Sequence, residues 1–371
     1  MLVGAASSSL HSEGAAPASD WGGWEAAGWV PASGDGNGFA VQHVDDARLL
    51  AEHGLGSWRI TLEWARLEPR RTGRFDTDEV DRYRRVLQAI RAAGLQAWAC
   101  LAHTSLPGWF SEDERGFLDD KTAKRIWPAH VDRVAEAFGD LVDGWVTFHQ
   151  PVRYVLDAYL LGRFPPGRQS GDDARAVLRN LLAADAEAAR LLKGKAPVSS
   201  CHWLPPVRGP GAAAANALIW DSWRDHDDHD LVGVSCANGV VVDADGDFTP
   251  WPSGPADALS ESLHHTADVR SGRRMAVLTG APATSREDQE AITKDLDAAL
   301  QEAAASLPID HAHWWSAIDG YEGWGGFDVT SGLFDRDRNP TGIGWITGQA
   351  SEIEPPTDGS SPGTSTRSPE G

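Results

Sequence analysis

The sequence predicts an α/β protein, a single (β/α)8 TIM barrel, and three observations carry this reading. Short apolar runs alternate with longer amphipathic ones, eight apolar runs can be counted, and none is followed by the GxGxxG fingerprint of an open dinucleotide-binding sheet. The strand candidates are Leu2 to Ser8, Ser57 to Trp64, Leu95 to Leu101, Gly144 to Phe148, Ala196 to Cys201, Leu231 to Cys236, Met275 to Thr279 and Ala312 to Ala317.

Between the strands lie helical stretches. Over Asp76 to Ala93 the first residue can cap, Glu79 can answer it, and Val80, Tyr83, Leu87 and Ile90 form one apolar stripe that needs a sheet to cover. Val131, Val134 and Phe138 repeat the spacing, as do Val177, Leu181 and Leu182, and a further helix is predicted from about Glu287 to Ala305. The barrel is expected over 1–349. Residues 350–371 are Pro, Ser, Gly and Thr with almost no apolar side chains, so they cannot recover their ordering entropy by burial and are expected to form a disordered tail.

Composition narrows the partners. The 371 residues carry 33 Lys plus Arg against 54 Asp plus Glu, a formal charge of −21. Such an excess of carboxylates repels phosphate backbones and anionic lipid heads, so neither nucleic acid nor a membrane is expected as a partner. No window approaches 18 uninterrupted apolar residues, and the start lacks the basic and apolar regions of a secretion signal, which predicts a cytoplasmic protein. Cys100, Cys201 and Cys236 lie far apart, without the spacing of a zinc site or a disulfide framework, and no metal or cofactor is expected. The 17 Trp are many, and either stacked sugar rings or core packing would use them.

In a barrel of this kind chemistry sits at the carboxyl ends of the strands. In strand two the alternation of Arg59, Thr61 and Glu63 with apolar residues predicts an inward polar face, where Arg59 and Glu63 either close the interior as an ion pair or meet a ligand. Histidines crown several strands: His11 after the first, His103 after the third, His149 after the fourth and His202 after the fifth. Imidazoles can transfer protons near pH 7, hydrogen-bond or hold metal, and the first two uses fit better because no carboxylate partner can be assigned. The eighth strand runs through Trp314 and Trp315 to Asp319, Glu322 and Trp324, the indoles and carboxylates that polyhydroxylated ligands need.

Together these segments resemble glycoside hydrolase family 1, the β-glucosidase-type retaining enzymes, over roughly residues 4–345. GAASSSLHSEG at Gly4 to Gly14 is similar to the opening motif, WRITLEWARLEP at Trp58 to Pro69 to the second strand, and AHTSLPGWF at Ala102 to Phe110 to the sugar-binding His segment. DGWVTFHQP at Asp143 to Pro151 falls on T-F/L-N-E-P, and WWSAIDGYEGWGGFDVTSGLF at Trp314 to Phe334 is similar to the closing motif. The resemblance implies that His103, Trp315 and Glu322 hold a glycone, with Arg59 beside the nucleophile's place. It also implies departures: His11 replaces a Gln, His149 replaces an Asn, Gln150 replaces the acid/base Glu, and Thr279 or a neighbour stands at the nucleophile.

Retaining hydrolysis needs two carboxyl groups about 5–5.5 Å apart. An amide cannot protonate a leaving group, and a hydroxyl without an adjacent base is a poor nucleophile. Ordinary β-glucosides are therefore expected not to be turned over. Three functions remain open: a repurposed enzyme acting on a sugar-like or polyol metabolite through pocket histidines, a saccharide-binding protein without turnover, or a glycosidase with relocated carboxylates drawn from Glu63, Asp319 and Glu322. The expected catalytic set is His149, Gln150, Glu322 and Thr279. Ligand contacts are expected from His11, Arg59, Glu63, His103, His202, Trp315, Asp319 and Trp324.

Overall fold

The computed structural model describes residues 1–224, 229–341 and 346, with Trp324 described by its backbone alone. Four strands, β1 (Leu2–Ala6), β2 (Ser57–Thr61), β3 (Gln96–Ala102) and β4 (Gly144–Phe148), lie side by side in chain order. All their pairings are parallel. Strand β5 comes in two pieces, Val198–Ser199 and His202–Trp203; the first pairs with β4 and the second with β6 (Val232–Ser235). From there β7 (Met275–Gly280) leads to β8 (Ile309–Trp315), and β8 pairs back onto β1 through Leu2↔His311 to Ala6↔Trp315. The ring therefore closes as a (β/α)8 barrel, with the broken β5 as its joint.

Each predicted strand is present, the fourth over its predicted residues and the others with shifted ends. The fifth is split around Ser200 and Cys201, and the eighth begins earlier than expected, at Ile309. Crossovers are made by α1 (Phe39–Glu52), α2 (Thr77–Ala92), α3 (Asp120–Phe138), α4 (Gly171–Leu192), α5 (Pro255–Val269) and α6 (Arg286–Ala304), while broken helical turns over 212–224 bridge β5 and β6. In α2 the Asp76 side chain accepts from the backbone N–H of Asp78 and Glu79, and Tyr83, Val86, Leu87 and Ile90 are the buried face. Val131, Val134 and Phe138 of α3 and Val177 and Leu181 of α4 are likewise sealed against the sheet.

The core has two shells. The larger lies between strands and helices, and a smaller one fills the barrel interior with Trp98, Cys100, Val146, Cys201 and Leu278 among others. Trp98 fits only because Gly144 faces it: a Cβ there would lie 2.4 Å from the indole. A second sheet was not expected: Val207–Arg208, Val240–Val242 and Phe248–Pro250 form a three-stranded ribbon beside the barrel mouth. The tail predicted over 350–371 lies outside the described residues. No helix among the described residues is long and apolar enough to cross a membrane.

Candidate active site

At the carboxyl ends of the strands opens a cavity of about 830 Å³. Into it project His11 from the turn after β1, His103 after β3, His149 and Gln150 after β4, Thr279 from β7, Trp315 from β8 and Glu322 beyond it. Seven of the twelve residues singled out by sequence are thus brought together. The side chain of Trp324 lies outside the described residues.

One end of the cavity is built around Glu322. Its Oε1 accepts from the Trp315 indole at 2.9 Å and from the Ser331 hydroxyl at 2.6 Å, and His11 Nε2 lies 3.4 Å away. Burial opposes ionisation of this carboxyl, but the neighbouring His11, Ser331 and Trp315 outweigh it and hold the acid below its ordinary range. His11 sits on a short helix, Ser9–Glu13, capped by the Ser8 hydroxyl, and its ring packs 5.0 Å from Trp315. Gly320 permits this approach, since a Cβ there would come within 2.6 Å of the imidazole.

A second group on the lining consists of uncharged rings above a buried guanidinium. His103 and His149 stack at 3.6 Å between ring centroids, and Trp315 closes on His103 at 5.4 Å. Arg59 donates to His149 Nδ1 at 3.1 Å, so that ring is neutral with its proton on Nε2. Burial first, then the neighbouring imidazole and Arg59, hold the His149 pKa well below the ordinary histidine value. For His103 the same direction follows from burial, Arg59 and His11. Gln150 takes a left-handed backbone, φ 49° and ψ 58°, and its amide donates to Ser235 Oγ at 2.6 Å. The Thr279 hydroxyl donates to the Cys236 carbonyl at 2.8 Å, which leaves its proton committed to the backbone rather than to a base.

Four sequence expectations are corrected by geometry. Glu63 does not meet Arg59: it lies past the end of β2, accepts from Ser9, Ser105 and the Ala65 N–H, and caps the short helix Trp64–Leu67. Arg59 itself is 3% exposed and lies under His149, one layer below the cavity lining. His202 turns outward to Asp185 of α4, where Nε2 stands 3.4 Å from a carboxylate shared with His229 and Thr147. Asp319 accepts from the backbone N–H of Ser331 and Gly332 and pairs with Arg286 of α6, so it fixes a loop and does not line the cavity.

Other lining residues escaped the sequence reading. Trp21 is anchored through its indole N–H to the Thr104 carbonyl, and Arg153, Asp157 and Arg163 stand together on the lining. An Arg and an Asp four residues apart just after β4 were the available signal. Among the described residues two carboxylates line the cavity, Asp157 and Glu322, and neither stands at the end of β4 or on β7. No group of three or more His, Cys, Asp or Glu suited to a metal ion occurs among the described residues.

Comparison with known proteins agrees with the barrel fold. Residues 36–202 match the glycosyl hydrolase family 1 model. β-Glucosidase 34 of Oryza sativa subsp. japonica is 26% identical over 163 residues, which is 41% of this chain and 32% of the relative. A benzoxazinyl glucoside β-D-glucosidase of Zea mays is 34% identical over 130 residues, 34% of this chain and 23% of the relative. The matched segments thus span about a third or less of these curated relatives. In fold, the β-glycosidase from Pyrococcus horikoshii superposes with a TM-score of 0.84 at 24% identity, covering 94% of this chain and 93% of that one. A β-glucosidase from Thermotoga maritima in complex with cyclophellitol gives 0.81 at 16%, over 95% and 97%. Over residues 36–202 the chain is similar to glycosyl hydrolase family 1, and its fold is that of the solved β-glycosidases.

Proposed function

We propose that the cavity binds a sugar-like or polyol metabolite and does not cleave β-glycosides by double displacement, and that proton transfer on the ligand falls to the His11–Glu322 pair. One observation carries the first part. The carboxyl groups on the lining are Asp157 and Glu322, while Gln150 and Thr279 occupy the ends of β4 and β7. That the relatives are β-glucosidases supports a saccharide as the ligand class. Trp315 offers an indole face, and Glu322 offers a charged acceptor for hydroxyls.

Relocated carboxylates are the weakest account, since Glu63 and Asp319 are spent on structural hydrogen bonds. Proton transfer by His149 or His103 also loses support, because a buried imidazole held far below its ordinary pKa is a weak base at pH 7. His11 Nε2 lies 3.4 Å from the Glu322 carboxylate, a geometry that lets the two groups share a proton with a ligand between them. A second reading, a binder without turnover, is favoured by the neutral His103 and His149.

A thermal-shift screen of the parent chain with glucose, polyols and cell-extract metabolites tests both readings. Stabilisation by a sugar-like compound, lost in Glu322→Ala, supports the ligand class. Product formed by the parent and not by His11→Ala supports proton transfer, whereas stabilisation without product supports the binder. Hydrolysis of a nitrophenyl β-glucoside above about 1 s⁻¹, the low end of common enzyme rates, would refute the proposal.

A further inference from the structure

Under the cavity floor lies a cation with no carboxylate partner among the described residues. The Arg59 guanidinium contacts Cys100 Sγ at 3.3 Å, Cys201 Sγ at 3.4 Å and His149 Nδ1 at 3.1 Å, and no carboxylate of the described residues lies within 4 Å. Burial pushes the Cys201 thiol up, so that thiol stays neutral and does not balance the charge. A buried charge lacking an ionic partner is costly, and an anion brought close to it from solution recovers part of that cost.

What lies above Arg59 is suited to such an anion. Because His149 accepts through Nδ1, its remaining donor is the Nε2–H, on a ring that lines the cavity. Ser235 Oγ accepts from Gln150, which leaves its own O–H to donate, and Ser235 also lines the cavity. Two neutral donors backed by a buried guanidinium make an electropositive floor in a chain of formal charge −21. At the other end Glu322 accepts hydroxyls and repels a second negative group, which orients an acidic ligand one way round.

We propose that the ligand is a carboxylate-bearing sugar of the uronate class, its carboxylate docked on His149 and Ser235 above Arg59 and its hydroxyls on Glu322. This rests on the saccharide reading above and specifies its substrate class. Arg153 and Arg163 at the mouth are the rival cations, but both face Asp157.

Calorimetric titration of the full chain with D-glucuronate, D-glucose and acetate at low salt provides the test. Glucuronate binding at least about tenfold tighter than glucose is expected, with the margin shrinking as salt rises. Acetate alone should bind far more weakly than glucuronate. Arg59→Gln, which keeps an N–H for His149 but removes the charge, should abolish the margin and leave glucose binding in place. Equal affinity for glucuronate and glucose would overturn the uronate assignment while leaving the saccharide reading intact, and binding of neither would sink both. A margin that survives Arg59→Gln and disappears in Arg153→Gln would overturn the placement of the carboxylate. The parent comparison needs no variant, so a failure of Arg59→Gln to fold does not remove the test.

Discussion

The two ends of the cavity are built on opposite electrostatic plans. Around Glu322 an indole N–H, a serine hydroxyl and an imidazole converge on one carboxylate and hold it below its ordinary range. Around Gln150 and Thr279 the floor has no carboxylate among the described residues, its imidazoles are held neutral, and the buried Arg59 has thiols and a ring nitrogen for neighbours. Our proposal gives a sugar's hydroxyls to the group around Glu322, and among the described residues no lining carboxylate stands at the ends of β4 and β7, where the proposal leaves retaining chemistry without its pair of acids. In a barrel such groups are carried by different strand ends, so one can be altered without the other.

Four measurements break or sharpen this contrast. The largest effect is expected away from the cavity. Asp185→Ala would leave His202 and His229 without their shared acceptor and should cost about 3–5 kcal/mol in denaturant unfolding, with sugar affinity unchanged. A loss of affinity at full stability would return His202 to the site. Next, Glu322→Ala should weaken glucose about 100-fold in calorimetry, since hydrogen bonds to a charged group contribute about 1.5–3 kcal/mol.

A smaller effect concerns Asp20, whose carboxyl burial pushes up to about 8. An acid raised in the folded state contributes stability fully present below its unfolded value near 3.8 and lost progressively as pH rises toward 8. Asp20→Asn should accordingly give no gain at pH 4 and at least about 1 kcal/mol at pH 9, read from thermal unfolding. The smallest change is expected from Gln150→Glu. One restored acid, facing a β7 that has none, should leave nitrophenyl glucoside turnover below about 1 s⁻¹. Brisk hydrolysis would show that a nucleophile is present after all.

Much of this was legible before any coordinates. Strand count and order followed from alternating apolar runs, and the α2 cap followed from Asp76 and its neighbours. His11, His103, His149, Trp315 and Glu322 could be placed at one mouth because strand ends converge there. What failed was depth and facing. Period two puts Arg59 inside but does not say that it stops a layer below the cavity. The same alternation, counted through β5, turns Cys201 inward to Arg59 and therefore His202 outward to Asp185; proximity to a strand end had concealed this. Glu63 was claimed by a local cap on Ala65 and by distant Ser9, and Asp319 by the distant Ser331 and Gly332 N–H groups and Arg286, partners that no local pattern announces.

The central claim is that this cavity receives a sugar without forming a covalent bond to it. Intact-protein mass spectrometry tests it most directly, after incubation with 2-deoxy-2-fluoro-β-glucosyl fluoride at a concentration that raises the melting temperature. The parent mass should be unchanged while the thermal shift shows the site filled; a mass increase of one fluoroglucosyl unit would contradict the account.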